Sequence, residues 1–334
     1  MPSTYAACSL PQRLVRSSAA RSYSRGPARC YHFPSFQPRT GAEYTRTFSC
    51  QRETDAETLA CLRALSPQQI LDKQLSISDL VVDTSALSTH VPNVDGDLVP
   101  YQPLLALAFG LFNRVPVMIG VNRDEGTILS ALAFDLAGEP LTADGYPEQV
   151  EQLAAMLASQ LGLDAQLATQ RILAEYPLSD YESPGQAFAT VSGDASFACP
   201  TVITAQIFSL TVPTYFYEFA DRNAPMPLVP PTSIPYGAAH ASELLYLFTP
   251  DESQVDQFTL TQEQQRLATT MRGYWTRFAT AGAPSSPWSR DPYFRRYSLL
   301  TNYVHALTTP APTRQRTFLE DHHCSFWTQL LMGG

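Results

Sequence analysis

Apolar and polar positions along this chain change register repeatedly, and each register predicts an element. From Thr54 onward, "DAETLACLRAL" places Leu59, Leu62 and Leu65 at helical spacing behind an acidic cap candidate. "SPQQILDKQ" follows with Ser66, Pro67 at the first helical position and Gln69 where a capping box needs it. "HVPNVDGDLVP" is punctuated as a loop, and "PLLALAFGLF", Pro103 to Phe112, is a compact apolar helix ending near Asn113. "VPVMIGV" is continuously apolar and β-branched, the pattern of a parallel strand buried on both faces. Two amphipathic helices follow, "PEQVEQLAAMLASQLG" and "DAQLATQRILAEY", then a helix candidate over Ser192 to Leu210 and a second strand, "VPTYFYEFA", Val212 to Ala220. Beyond a Pro-rich loop, "NAPMPLVPPTSIPYGAAH", lie "ASELLYLF", a long helix with Leu267, Met271, Tyr274, Trp275 and Phe278 on one stripe, and the tail "HHCSFWTQLL".

Helix, strand, loop, helices, strand, loop, helix is the order of an α/β fold with a doubly wound sheet. In such sheets functional loops sit outside the carboxyl ends of the strands. That rule singles out two loops, one carrying Asp124 and Glu125, the other His240.

Composition narrows the class. The 334 residues are 44% hydrophobic, enough for a sizeable core. A net charge of −9 argues against nucleic acid and anionic membranes as partners and favours a neutral or cationic substrate. No apolar run reaches the roughly 20 residues that cross a bilayer. Residues 1–47 differ from the rest: seven arginines from Arg13 to Arg46 face a single acid, Glu43, with many Ser and Pro, as in a disordered leader. Its prolines and lack of an amphipathic stretch argue against an organelle transit peptide, and it has no apolar core of a secretory signal.

Six cysteines, Cys8, Cys30, Cys50, Cys61, Cys199 and Cys324, form no CxxC, so no zinc or dithiol site is expected. Cys50 and Cys61 flank a helical segment as buried thiols or as a local disulfide, the latter requiring an oxidising compartment.

A carboxylate at one strand end followed far downstream by a histidine is the second half of the order Ser…Asp/Glu…His. There the carboxylate fixes the imidazole tautomer, and the imidazole moves the nucleophile's proton. Gly126 and Gly237 are expected to permit the tight turns that project these side chains.

"VMIGVNRDEGT" and "GAAHASELLYLF" closely resemble the type-B carboxylesterase family, which holds bacterial and fungal carboxylesterases, related lipases and cholinesterases. "ACLRALSPQQIL", "VDGDLVPYQP", "FNRVPVMIG", "YFYEF", "RGYWTRFATAGAP" and "HHCSFW" match in the same order, so the resemblance covers about Phe48 to Leu331. It implies the C-terminal part of an α/β-hydrolase fold with helical insertions over residues 48–334. By position it implies Glu125 as triad acid, His240 as triad base, Asp124 as a non-catalytic neighbour, and Glu243 as a supporting carboxylate or a solvated one at a helix start. It also implies disulfides Cys50–Cys61 and Cys199–Cys324, and with them a secreted protein, though this N-terminus carries no signal peptide. Neither metal nor cofactor is called for.

The family's chemistry also needs a serine on a GxSxG elbow and oxyanion donors from a glycine-rich loop. No GxSxG occurs in the 334 residues, and the one Gly-Gly step is Gly333-Gly334. Ser192 and Ser196 lie outside any such context and are read as structural. The expectation is therefore a serine carboxylesterase fragment holding acid and base, inactive alone, from a truncated or frame-shifted gene model or a pseudogene. Its sheet should have an open edge and an uncovered apolar face. Two alternatives stand beside it: a non-catalytic, cholinesterase-like binding or adhesion protein, and a chain whose serine is supplied by a separate upstream polypeptide.

Overall fold

The computed structural model describes residues 45–71, 94, 96–226, 229–248, 259–286, 288 and 292–331. The leader, up to residue 44, lies outside them. Two short helices come first, α1 (Asp55–Arg63) and α2 (Pro67–Leu71). Thr54 and Glu57 close a reciprocal capping box on α1. After α3 (Pro103–Ala108), β1 (Val117–Asn122) runs into α4 (Gly126–Ser130), and the chain then makes α5 (Tyr146–Leu161) and α6 (Ala165–Glu175). Next come α7 (Pro184–Gly193), a π-turn over Asp194–Ala198 and α8 (Cys199–Ser209), leading to β2 (Thr214–Phe219). The last elements are α9 (Leu244–Leu247), α10 (Gln262–Ala281), β3 (Val304–Leu307), β4 (Thr313–Gln315), α11 (Phe318–Asp321) and α12 (Cys324–Leu331).

The four strands form one sheet in the order β1-β2-β3-β4. β1, β2 and β3 are parallel, with Val117 opposite Thr214 and Tyr217 opposite His305, and β4 returns antiparallel. Alternation along β2 sends Phe216 to one face and Tyr215 and Phe219 to the other, so the sheet has a core on each side. Phe216, with Val121 and Val304, packs under α5, α6, α7, α8 and α12. Tyr215, Phe219 and Leu307 pack against Leu267, Met271 and Tyr274 of α10. This is the doubly wound arrangement read from the sequence.

Three local expectations need correction. β1 is buried only at Val121 and Asn122; its earlier residues are half-exposed, because β2 alone among the described residues pairs with it. Leu104, Phe109, Leu111 and Val115, which lead into that strand, are exposed. The helix placed over Ser192 to Leu210 is two helices and a π-turn, and it begins at Pro184 with Ser183 capping Gln186. The apolar helix from Pro103 stops at Ala108, where Phe109 leaves the helix and Gly110 takes a left-handed φ of 69°. Both expected disulfides, Cys50–Cys61 and Cys199–Cys324, are formed, the second tying α8 to α12. Among the described residues no cysteine is free, and no helix is long and apolar enough to cross a membrane.

Candidate functional site

β1 ends at Asn122, and the next three residues, Arg123, Asp124 and Glu125, turn the chain into α4. The turn is fastened from within: the Asn122 N–H donates to Glu125 Oε1 at 2.8 Å, and Thr127 Oγ donates to the Asp124 carbonyl at 2.7 Å. The histidine loop comes alongside as a one-residue extension of the sheet, with Asp124 bridging Ala239 in parallel. Asp124 N–H donates to the Ala238 carbonyl at 3.0 Å, and Ala238 N–H donates to Asp124 Oδ2 at 2.8 Å. Arg222 grips the same carboxylate with two hydrogen bonds, 3.1 and 2.7 Å long. The adjacent carboxylates therefore divide their work: Asp124 holds the loop, and Glu125 is left to hold the ring.

Glu125 Oε2 lies 2.6 Å from Nδ1 of His240. The carboxylate is nearly buried, with 10% of its side chain exposed, whereas the imidazole is 49% exposed. Because a carboxylate only accepts, Nδ1 carries the proton in the neutral ring, and the lone pair is on Nε2. No described residue hydrogen-bonds to Nε2. The bond to Glu125 raises the imidazole pKa above the ordinary histidine value, partial burial lowers it, and the charges of Glu125 and Glu243 raise it further. Phe197 lies against the ring at 5.3 Å between centroids. Ala241, the next residue, holds a left-handed φ of 69°, a conformation that costs a non-glycine residue about 1–3 kcal/mol.

Glu243 accepts a 2.5 Å hydrogen bond from Asn122 Nδ2, and the same amide donates to the Ala239 carbonyl at 2.7 Å. Asn122 thus touches the acid, the histidine loop and the supporting carboxylate. Neither Asn122 nor Arg222 was singled out from the sequence. The signal for Asn122 was a polar residue at the end of an apolar run; Arg222, in an exposed loop, offered none.

The glycines act differently from expectation at one of two positions. Gly237 does need its left-handed φ of 61°, and any Cβ there would lie 2.3 Å from Asp124 Oδ2. Gly126 has an ordinary helical backbone and makes no special turn. Its role is close approach, since a Cβ would sit 1.9 Å from the Ala189 carbonyl oxygen of α7. Ser192, on α7, donates to the Ala189 carbonyl at 3.1 Å, and Ser196 is exposed on the π-turn. Neither lies on a strand-to-helix elbow. Among the described residues no group of three or more His, Cys, Asp or Glu could hold a metal ion.

The carboxylesterase family model matches residues 30–327. Acetylcholinesterase of Bungarus fasciatus is 25% identical over 291 residues, 86% of this chain and 46% of that protein. Carboxylesterase 3 of Pongo abelii is 28% identical over 301 residues, with 86% and 48% covered. Acylcarnitine hydrolase of Rattus norvegicus is 28% identical over 282 residues, with 83% and 46% covered. The chain spans about half the length of the curated relatives it matches. With a family model matched over most of its length and a sheet wound on both faces, the chain belongs to the carboxylesterase family and carries its α/β-hydrolase fold in part.

Proposed function

We propose that this chain carries the acid and base of a serine carboxylic-ester hydrolase, with Glu125 as the acid, His240 as the base and Glu243 as its support. The observation that carries the proposal is the 2.6 Å contact between Glu125 Oε2 and His240 Nδ1 on a half-exposed imidazole whose Nε2 has no hydrogen bond from the described residues. Nε2 would take the proton of a serine hydroxyl as its oxygen attacks the ester carbonyl, then return it to the departing alkoxide. A water would repeat the cycle, delivering its proton to Nε2 and releasing the acid. Through both halves Glu125 keeps Nδ1 protonated and offsets the imidazolium charge.

The serine comes from outside these 334 residues, which contain no GxSxG; among the described residues no serine stands on a strand-to-helix elbow. The chain alone is therefore inactive, and hydrolysis needs a polypeptide supplying the nucleophile and oxyanion donors; each missing donor alone would cost about 10²–10³ in rate. The two disulfides suit an oxidising, secretory setting. The test is p-nitrophenyl ester hydrolysis by the chain alone and mixed with the N-terminal half of a related carboxylesterase. Activity only in the mixture, abolished by His240→Gln, supports the proposal. Organophosphate-sensitive activity from the chain alone overturns it, and so does a mixture indifferent to His240.

A further inference from the structure

A second histidine, His322, is buried and lines a cavity that Glu125 also borders. Its Nδ1 lies 2.6 Å from Asp194 Oδ1 and its Nε2 lies 2.8 Å from Glu218 Oε1, and all three side chains are at most 5% exposed. Both partners are carboxylates, which at neutral pH only accept, so both ring nitrogens must donate. The ring is an imidazolium. Glu218 stands on the central strand β2, Asp194 opens the π-turn after α7, and His322 precedes α12. The ion cluster thus joins three distant segments.

Its surroundings extend toward Glu125. Asp194 Oδ2 accepts from the Tyr176 hydroxyl at the end of α6. The other oxygen of Glu218 has no hydrogen-bond partner among the described residues and faces Arg123 at 3.7 Å, and Arg123 also pairs with Asp321 at 3.3 Å. Phe318 lies 4.5 Å from the ring between centroids. A polar cavity of about 80 Å³ is lined jointly by His322, Asp194, Arg123, Asp124 and Glu125. Gly193, one residue before Asp194, packs directly on the acid's turn: a Cβ there would lie 3.1 Å from Gly126 N and 3.9 Å from Glu125 Cβ.

We propose that His322, as a buried imidazolium, is a positioning residue for Glu125: by clamping Asp194 to Glu218 it holds the Gly193–Asp194 step against Glu125 and Gly126, and so sets the Glu125–His240 hydrogen bond. The proposal rests on the acid and base assignment above and deepens it. Burial alone would push the His322 pKa down, but the hydrogen bonds and charges of Asp194 and Glu218 outweigh it and push it up to about 9. The clamp is therefore complete at neutral pH and opens in alkali.

The test is NMR of the 334-residue chain labelled with ¹⁵N-histidine, with His240→Gln and His322→Gln used for assignment. At pH 7 both nitrogens of His322 should show imidazolium shifts, with deprotonation near pH 9. The Nδ1–H resonance of His240 should move with that same midpoint. In His322→Gln the alkaline step should vanish, and the His240 midpoint should fall toward the ordinary value of about 6.5. If that variant does not fold, the titration of the unaltered chain decides alone. A neutral His322 at pH 7 overturns the proposal, and so does a His240 resonance that stays still while His322 loses its proton. Ester hydrolysis enters none of these readouts, so failure here is distinct from failure of the proposed function.

Discussion

Gly126→Ala isolates close packing at the acid's turn, because the native φ is one that alanine accepts readily. The new Cβ would start 1.9 Å from the Ala189 carbonyl oxygen and 2.8 Å from both its carbon and Ser192 Oγ. Two of these atoms are helix backbone that cannot rotate aside, so α7 must retreat by more than about 1 Å to restore tolerable contact. Overpacking of this kind costs about 1–3 kcal/mol, and the upper end applies when backbone must move. Alanine returns at most about 1 kcal/mol through helix propensity. The clash wins, with a net loss of about 2 kcal/mol. Urea unfolding should show a lower midpoint with unchanged slope. Because α7 carries the Gly193 contact, the His240 titration should shift as well. Gly138→Ala is the comparison: at φ 84° with nothing within 4 Å, it suffers backbone strain of about 1–2 kcal/mol and should leave His240 alone. A Gly126→Ala chain as stable as its parent, or one that loses stability without moving His240, refutes the packing argument.

Other outcomes follow from the same contacts. Replacing Glu125 with Gln removes the acceptor charge that raises His240, so its NMR midpoint should fall toward about 6.5. Since that pKa is raised on folding, the pair's stabilisation is complete below about pH 6.5 and fades as pH rises through the folded value, whereas in Glu125→Gln this dependence should flatten. Tyr176→Phe strips the acceptor of Trp327 Nε1, 2.6 Å away, and the donor to Asp194, 3.0 Å away, and should cost about 2–4 kcal/mol in chemical denaturation. Removing the Cys199–Cys324 disulfide, which closes 125 residues, should cost about 5 kcal/mol by chain entropy, against about 3 kcal/mol for Cys50–Cys61 across 11. Paired Cys→Ala variants compared by thermal unfolding test the ranking.

Elements with a strong local signature were legible in the sequence. The helix Gln262–Ala281 shows its Thr261–Gln264 capping box, its Leu267, Met271 and Tyr274 stripe, and Gly282 in the left-handed cap. β1 and β2 were recognisable as apolar and aromatic runs. The start of α7 was also marked, by Ser183 and Pro184, although the reading began the helix at Ser192. β3 and β4 carry no such mark: Val304–Leu307 is four residues long and contains a histidine. His305 is accommodated inside because the Tyr303 and Tyr274 hydroxyls partner its two ring nitrogens, at 2.9 and 3.3 Å, and Phe294 stacks on it at 4.2 Å; burial keeps it neutral, its pKa lowered to about 3. At the site, Glu125, His240 and Glu243 were reached through strand-end position and family resemblance. The His322 cluster was not, because its partners lie 104 and 128 residues away and each looks locally like a surface polar residue.

The bridge between Asp124 and Ala239 has a kinetic consequence. Asn122, Asp124 and Ala238 exchange hydrogen bonds across two loops more than a hundred residues apart in sequence. Neither loop can fray without breaking bonds that belong to the other, so the two form a single cooperative opening unit. Backbone amides of Asp124 and Ala238, each bonded across the two loops, should then share one opening free energy in hydrogen exchange. Local opening of either loop would therefore unmake the acid–base pair from both sides at once.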